Sequence, residues 1–165
     1  MVIFSRLPII FGLVDLNSFA WHSLTFVSNY LGMIKFAYTI LYVQDVERSI
    51  QFYENAFGFK RTFIVPGNAY GELSTGNTTL SFASIEQANS NLKDGFQESS
   101  NNQKPFAMEI GFTTNDVEGV YQKAIAAGAI PEAETKLKPH GQTVAYVRDP
   151  DGFLVEICTP MGSGD

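Results

Sequence analysis

Two glutamates lie inside apolar runs, where a charge needs a reason. Glu109 belongs to Phe106–Phe112 (FAMEIGF) and Glu156 to Phe153–Thr159 (FLVEICT). Strand alternation turns Met108, Ile110 and Phe112 to one side and Ala107, Glu109, Gly111 and Thr113 to the other. The small neighbours leave room around Glu109. Such a carboxylate faces water, lines a ligand cavity, or joins Glu156 in holding a metal with help from elsewhere. Tyr38 and Tyr42 share a face with Phe36 and Ile40. They are core aromatics or a stacking surface for a planar or cationic ligand, with Glu109 supplying charge. His140, in Lys138-Pro139-His140-Gly141, is a surface histidine or, in the sharper alternative, a general base or late metal ligand. Cys158, in an apolar run, reads as a small buried hydrophobe.

The elements that must position these groups come from an internal duplication. FAYTILYVQDVERSIQFYENAFGF from Phe36 matches FAMEIGFTTNDVEGVYQKAIAAGA from Phe106, each a strand, a polar cap and a helix. The shared Asp-Val-Glu falls at Asp45–Glu47 and Asp116–Glu118, 71 residues apart. Asp45 and Asp116 are helix caps. Val46, Ile50, Tyr53 and Phe57 form one helical stripe, and Val117, Val120, Tyr121 and Ala124 the other. Gly58 and Gly128 follow as stop signals. Strands are expected at Lys60–Val65, Tyr70–Thr75 and Thr78–Ser84, and again at Ile130–Glu134, Thr143–Arg148 and Phe153–Thr159. Asp149-Pro150-Asp151-Gly152 is a turn, and Ser74-Thr75-Gly76-Asn77 takes its place in the first half. Glu86–Lys104, rich in Asn, Ser, Gln and Lys, reads as a linker or mobile loop. The organisation expected is an N-terminal extension over residues 1–32, a first βαβββ module over 33–84, a polar linker over 85–105, a second βαβββ module over 106–160 and a tail over 161–165. The fold class is α+β, two tandem modules forming a cupped mixed sheet. Neither module closes a core alone, so the two must pack together or pair across a dimer.

Composition narrows the function. Of 165 residues, 17 are acidic and 11 basic, for a net charge of −6. That balance argues against a nucleic-acid surface and favours neutral or cationic small ligands. A single cysteine excludes an internal disulfide and fits a reducing compartment, so a cytoplasmic location is expected. The first 32 residues carry only Arg6 and Asp15 as charges. Their longest apolar run, Leu7–Val14, falls short of the ~20 residues a spanning helix needs, so no membrane partner is expected. No signal-peptide pattern is present either. The folded pattern begins just after Met33, which is the expected true start. No phosphate-binding glycine loop, nucleophile elbow or CxxC occurs.

The VQDVERSIQFYENAFGF and VAYVRDPDGFLVEI segments resemble those of the glyoxalase/bleomycin-resistance/dioxygenase (vicinal oxygen chelate) superfamily, over about Phe36 to Pro160. Metal-using members place ligands at four equivalent strand positions, two per module, around an ion that polarises the substrate's vicinal oxygens. Carried over, these fall on Tyr38, Leu80, Glu109 and Glu156. Leu80 cannot ligate, both histidines of the pattern are missing, and two carboxylates alone make a poor transition-metal site. The 2-His-1-carboxylate triad of the dioxygenases has no source here. The resemblance thus implies a glyoxalase-like protein that binds a small organic molecule among Tyr38, Tyr42, Leu80, Glu109 and Glu156 without a complete metal site, as in the bleomycin-resistance branch. One alternative is a metal-dependent lyase or isomerase of the lactoylglutathione-lyase type, with one Zn, Ni or Mn ion on Glu109 and Glu156, and Glu156 as the base. Another is a non-catalytic interaction module. The resemblance also implies a homodimer. The identity of the ligand is left open.

Overall fold

Asp45 caps the first helix by accepting from the Arg48 N–H at 3.1 Å, and Asp116 caps its counterpart through the Gly119 N–H at 2.9 Å. Each such cap stabilises a helix by about 1 kcal/mol. The computed structural model describes residues 34–162; the expected extension over 1–32 lies outside the described residues. From these starts run α1 (Val46–Phe57) and, in the second half, α3 (Val117–Ala126). The α1 stripe is buried through Val46, Ile50 and Tyr53, and the α3 stripe through Val117, Tyr121 and Ala124. Gly58 ends α1 in the left-handed conformation, with φ 75°.

Around α1 lie β1 (Tyr38–Val43), β2 (Lys60–Ile64), β3 (Tyr70–Ser74) and β4 (Thr79–Ser84). With α3 go β5 (Ile110–Thr113), β6 (Ile130–Leu137), β7 (Thr143–Arg148) and β8 (Leu154–Cys158). Each set forms a four-stranded mixed sheet of the same order, β1-β4-β3-β2 and β5-β8-β7-β6, with β1–β4 and β5–β8 parallel and the rest antiparallel. The two tandem βαβββ modules of an α+β fold are therefore present.

One core serves both modules. Leu41, Leu73, Leu80 and Phe82 from the first sheet join Ala145, Val147, Val155 and Ile157 from the second, with α1 and α3 packed between them. Phe112 of β5 stands 4.9 Å from both Phe57 and Phe59 of the first module. Full burial of a side chain such as Ile50 contributes roughly 1.5–3 kcal/mol. Each sheet thus gives one face to the core and keeps the other free.

Two expectations about the 85–105 stretch need correction. Its first part is a helix, α2 (Ile85–Asn91), capped by Ser84 through the Gln87 N–H at 3.1 Å. Ala88 is its only buried residue, so no apolar stripe marked it in the sequence. Its last part is clamped: the buried Arg148 guanidinium donates to Ser100 O at 2.9 Å, Gln103 O at 3.2 Å and Gly152 O at 2.7 Å. A long-range partner, invisible to local composition, orders this polar segment.

The Asp149–Gly152 turn also ties the modules together. Asp149 is fully buried and accepts from the Tyr53 hydroxyl of α1 at 2.9 Å and from the Asp151 and Phe153 N–H groups at 3.0 and 2.8 Å. Asp151 accepts from Ser49 Oγ at 2.5 Å and pairs with Arg48, both on α1. Asn101 donates to the carbonyls of Asp149 and Pro150.

Candidate functional site

Cross-strand register turns the free face of each sheet into rows of neighbouring side chains. On the second sheet one row runs Gly111, Glu156, Tyr146, Ala133, and the next runs Thr113, Cys158, Val144, Lys136. Glu109, just before β5, belongs to the same face by alternation. The Tyr146 hydroxyl donates to Glu156 Oε1 at 3.1 Å. A Cβ on Gly111 would lie 3.7 Å from Glu156 Oε2, so the missing side chain leaves that oxygen open. Partial burial and the neighbouring Glu156 push the Glu109 carboxyl up from its ordinary value. Burial, then the hydrogen bond to Glu156, pushes Tyr146 up to about 12. The structure therefore brings Glu109 and Glu156 together, with Tyr146 as a hydroxyl the sequence reading missed. Alternation with the buried Ala145 and Val147 was the available signal for Tyr146.

Beside this cluster a cleft of about 300 Å³ separates the edges of the two sheets. Glu109, Met108 and Gly111 line it from the second module, and Thr39, Thr79 and Leu80 from the first. Leu80 thus borders a cavity with Glu109, but its side chain is buried and belongs to the core. The residue equivalent to Glu156 is Ser81: Ser81 pairs with Ile40 as Glu156 pairs with Gly111, and Ile40 and Gly111 are 71 residues apart. The quartet by structure is Tyr38, Ser81, Glu109 and Glu156. Leu80, expected at this position, falls one residue short, because Ser81 lies five residues after Gly76 whereas Glu156 lies four after Gly152.

The first sheet presents a different free face. Its central row runs Ile40, Ser81, Glu72, Phe63, with Tyr38 and Thr79 on one side and Tyr42, Ala83 and Tyr70 on the other. Tyr38, Ile40 and Phe63 are 52%, 44% and 41% exposed, so the aromatic alternative of a stacking surface stays open for Tyr38. Tyr42 is less free, because the Phe96 ring packs against it with centroids 4.8 Å apart. The Tyr70 hydroxyl donates to Glu72 Oε1 at 2.8 Å. Ser81 Oγ is wholly buried and has no hydrogen-bond partner; it lies close enough to the Tyr70 oxygen to favour its ionised form, without good bonding geometry. A buried hydroxyl left unmatched costs about 1–3 kcal/mol.

The remaining candidates stand apart. His140 is exposed in the β6–β7 connection and contacts Gln142 Oε1 at 3.2 Å; no hydrogen bond links it to Glu109 or Glu156. Cys158 is buried, and burial followed by the nearby Glu156 and Glu109 raises its thiol, which keeps it protonated and suits a packing role. Among the described residues no three His, Cys, Asp or Glu side chains converge on a point that could hold a metal. The donor set at the site is two carboxylates and a phenol held protonated, with no imidazole, so these residues do not fit a transition-metal centre.

A family model described as the Glyoxalase/Bleomycin resistance protein/Dioxygenase superfamily matches residues 35–157. No curated protein matches the chain at a significant level. Solved structures share the fold. A glyoxalase-related enzyme from Fulvimarina pelagi superposes with a TM-score of 0.65 at 23% identity, over 78% of this chain and 89% of the other. A hypothetical protein from S. aureus gives 0.63 at 26% identity, over 80% and 98%. A lactoylglutathione lyase from Agrobacterium tumefaciens gives 0.58 at 19% identity, over 81% and 99%.

Proposed function

Because the chain belongs to the glyoxalase/bleomycin resistance protein/dioxygenase superfamily, we propose that it binds a small organic molecule on the free faces of its sheets, without a metal. One observation carries this reading: the Glu109–Glu156–Tyr146 cluster beside the interedge cleft offers two carboxylates and a hydroxyl, and no imidazole. A ligand that donates hydrogen bonds or carries positive charge matches those acceptors, and the exposed Tyr38 and Ile40 supply apolar contact. The half-open faces also suit completion by a second copy in a homodimer. The location we propose is cytoplasmic, in keeping with the one buried free thiol. Among the described residues no helix is long and apolar enough to cross a membrane.

The test starts with elemental mass spectrometry of protein purified without chelator, then a thermal-shift screen of aromatic and cationic compounds. The expected result is no stoichiometric metal, a stabilising ligand, and loss of that stabilisation by at least tenfold in affinity in Glu109→Gln. One metal per chain that disappears in both Glu109→Ala and Glu156→Ala would overturn it.

A second reading has a specific observation behind it. Two carboxylates on one face, one of them raised, can hand a proton between substrate atoms, with Glu156 as the base. That arrangement suits a glyoxalase-like isomerisation of a glutathione adduct. Turnover of a glutathione hemithioacetal by protein supplied with Ni²⁺, Zn²⁺ or Mn²⁺, abolished by Glu156→Gln, supports it. Absence of turnover with every ion removes it.

A further inference from the structure

Glu72 is a carboxylate without a cation. Among the described residues the ion pairs join Arg48 to Asp151 and Arg61 to Glu47 and Glu54, and none reaches Glu72. It is half-buried at the middle of the first sheet's free face, between Ser81 and Phe63 in its row. One of its oxygens, Oε1, is held by the Tyr70 hydroxyl at 2.8 Å, which leaves Oε2 open. The surround is apolar and aromatic: Ile40 and Phe63 close the row, Tyr38 lies at the corner, and the Phe63 and Tyr70 rings are 6.1 Å apart. Beneath lies the second, independent feature, the Ser81 hydroxyl, wholly buried on the same face and without a partner.

A charged acceptor, a spare hydroxyl and aromatic walls are complementary to one chemistry. A primary ammonium has three donors and no acceptor, and its charge is attracted both to a carboxylate and to ring faces. A neutral hydroxyl would use the acceptors but gain nothing from the charge. A carboxylate or phosphate would be repelled by Glu72. We propose that the first-module face takes the protonated amine of an organic ligand, with Glu72 as its counter-charge, Tyr70 orienting that carboxylate, and Ser81 Oγ beneath as a second acceptor. The proposal rests on the reading that the free faces bind ligand, and it adds an anchor separate from Glu109 and Glu156.

Paired probes of one shape test it: 2-phenylethylammonium and its neutral analogue 2-phenylethanol, titrated into the full chain by calorimetry near pH 7. The expected result is that the ammonium binds at least tenfold more tightly than the alcohol. Glu72→Gln should remove that difference, Ser81→Ala should weaken the ammonium severalfold, and Glu132→Gln, which removes an exposed carboxylate outside both polar centres, should leave it unchanged. Unaltered melting temperatures would show that the variants fold. Equal binding of the two probes, no binding of either, or a preference that survives Glu72→Gln would overturn the subsite. A preference abolished by Glu109→Gln and untouched by Glu72→Gln would also overturn it, yet would leave the broader ligand-binding reading standing.

Discussion

The loop between the last two strands of each module shows how the two halves diverged. In the first module Ser74–Asn77 is a surface turn whose side-chain bond is local, Thr75 Oγ1 to Thr78 O at 2.8 Å, and a Cβ on Gly76 would meet open space. In the second, Asp149–Gly152 is buried, reaches across to Tyr53, Ser49 and Arg48 of the other module, and holds Gly152 against the backbone of Ser100. The free faces diverge in the same way. The first has one carboxylate among aromatics; the second gathers Glu109, Glu156, Tyr146 and Cys158. Duplication kept the scaffold, while one turn became the joint between copies and each face acquired its own polar centre.

The largest effect that could break this comparison is the loss of the joint. Asp149→Ala removes three hydrogen bonds and leaves the Tyr53 hydroxyl buried without a partner, which should cost about 3–5 kcal/mol. Thr75→Ala in the matching turn should cost under about 1 kcal/mol. Chemical denaturation of both variants checks the contrast, and equal losses would mean the second turn is no joint.

Next comes pH. Burial raises the Asp149 carboxyl from 3.8 to about 6, against opposing help from the Phe153 and Asp151 N–H groups and the Tyr53 hydroxyl. Because the folded value lies above the unfolded one, the favourable contribution is complete below about pH 4 and is lost as pH rises through about 6. That amounts to something on the order of 3 kcal/mol. Denaturation midpoints of the wild type and Asp149→Asn between pH 4 and 8 should therefore diverge in slope, with the wild type losing more as pH rises. Parallel curves would sink this expectation.

The turn glycines offer a smaller contrast. Gly152 has φ 92°, and an added Cβ would come within 2.4 Å of the Ser100 carbonyl carbon. Gly76 has φ 106° and nothing near it. Gly76→Ala should cost only the backbone strain, about 1 kcal/mol, and Gly152→Ala should exceed it because the clamped segment must also move.

Much of the scaffold was legible in the sequence because its signals are local. Caps at Asp45 and Asp116, apolar stripes of helical period and the Asp-Gly turn lie within a few residues of what they control. The pair Glu109 and Glu156 was legible for the same reason, since charges inside apolar strands are conspicuous. The joint was not, because Tyr53 and Asp149 are 96 residues apart and the Asp149-Pro150-Asp151-Gly152 run already had a sufficient local explanation as a turn. Leu80 was assigned where Ser81 belongs because the two turns differ in length. Glu72 and Tyr70 were passed over although they alternate with the buried Gly71 and Leu73 in β3, a pattern that turns both toward the free face.

The smallest effect is the most direct comparison of the two polar centres. Each has a tyrosine hydroxyl donating to a glutamate: Tyr70 to Glu72, and Tyr146 to Glu156. Both phenols are raised, first by burial and further by the partner carboxylate, with Ser81 opposing the rise at Tyr70 and with Tyr146 reaching about 12. If the centres are independent, Glu156→Gln should bring Tyr146 down toward its ordinary value and leave Tyr70 in place, and Glu72→Gln should do the converse. Ultraviolet titration of the phenolate band, with Tyr146→Phe and Tyr70→Phe to assign each transition, reads this out. A glutamate substitution that moved both tyrosines would mean that the two faces share one electrostatic environment, and the amine subsite could then no longer be treated apart from Glu109 and Glu156.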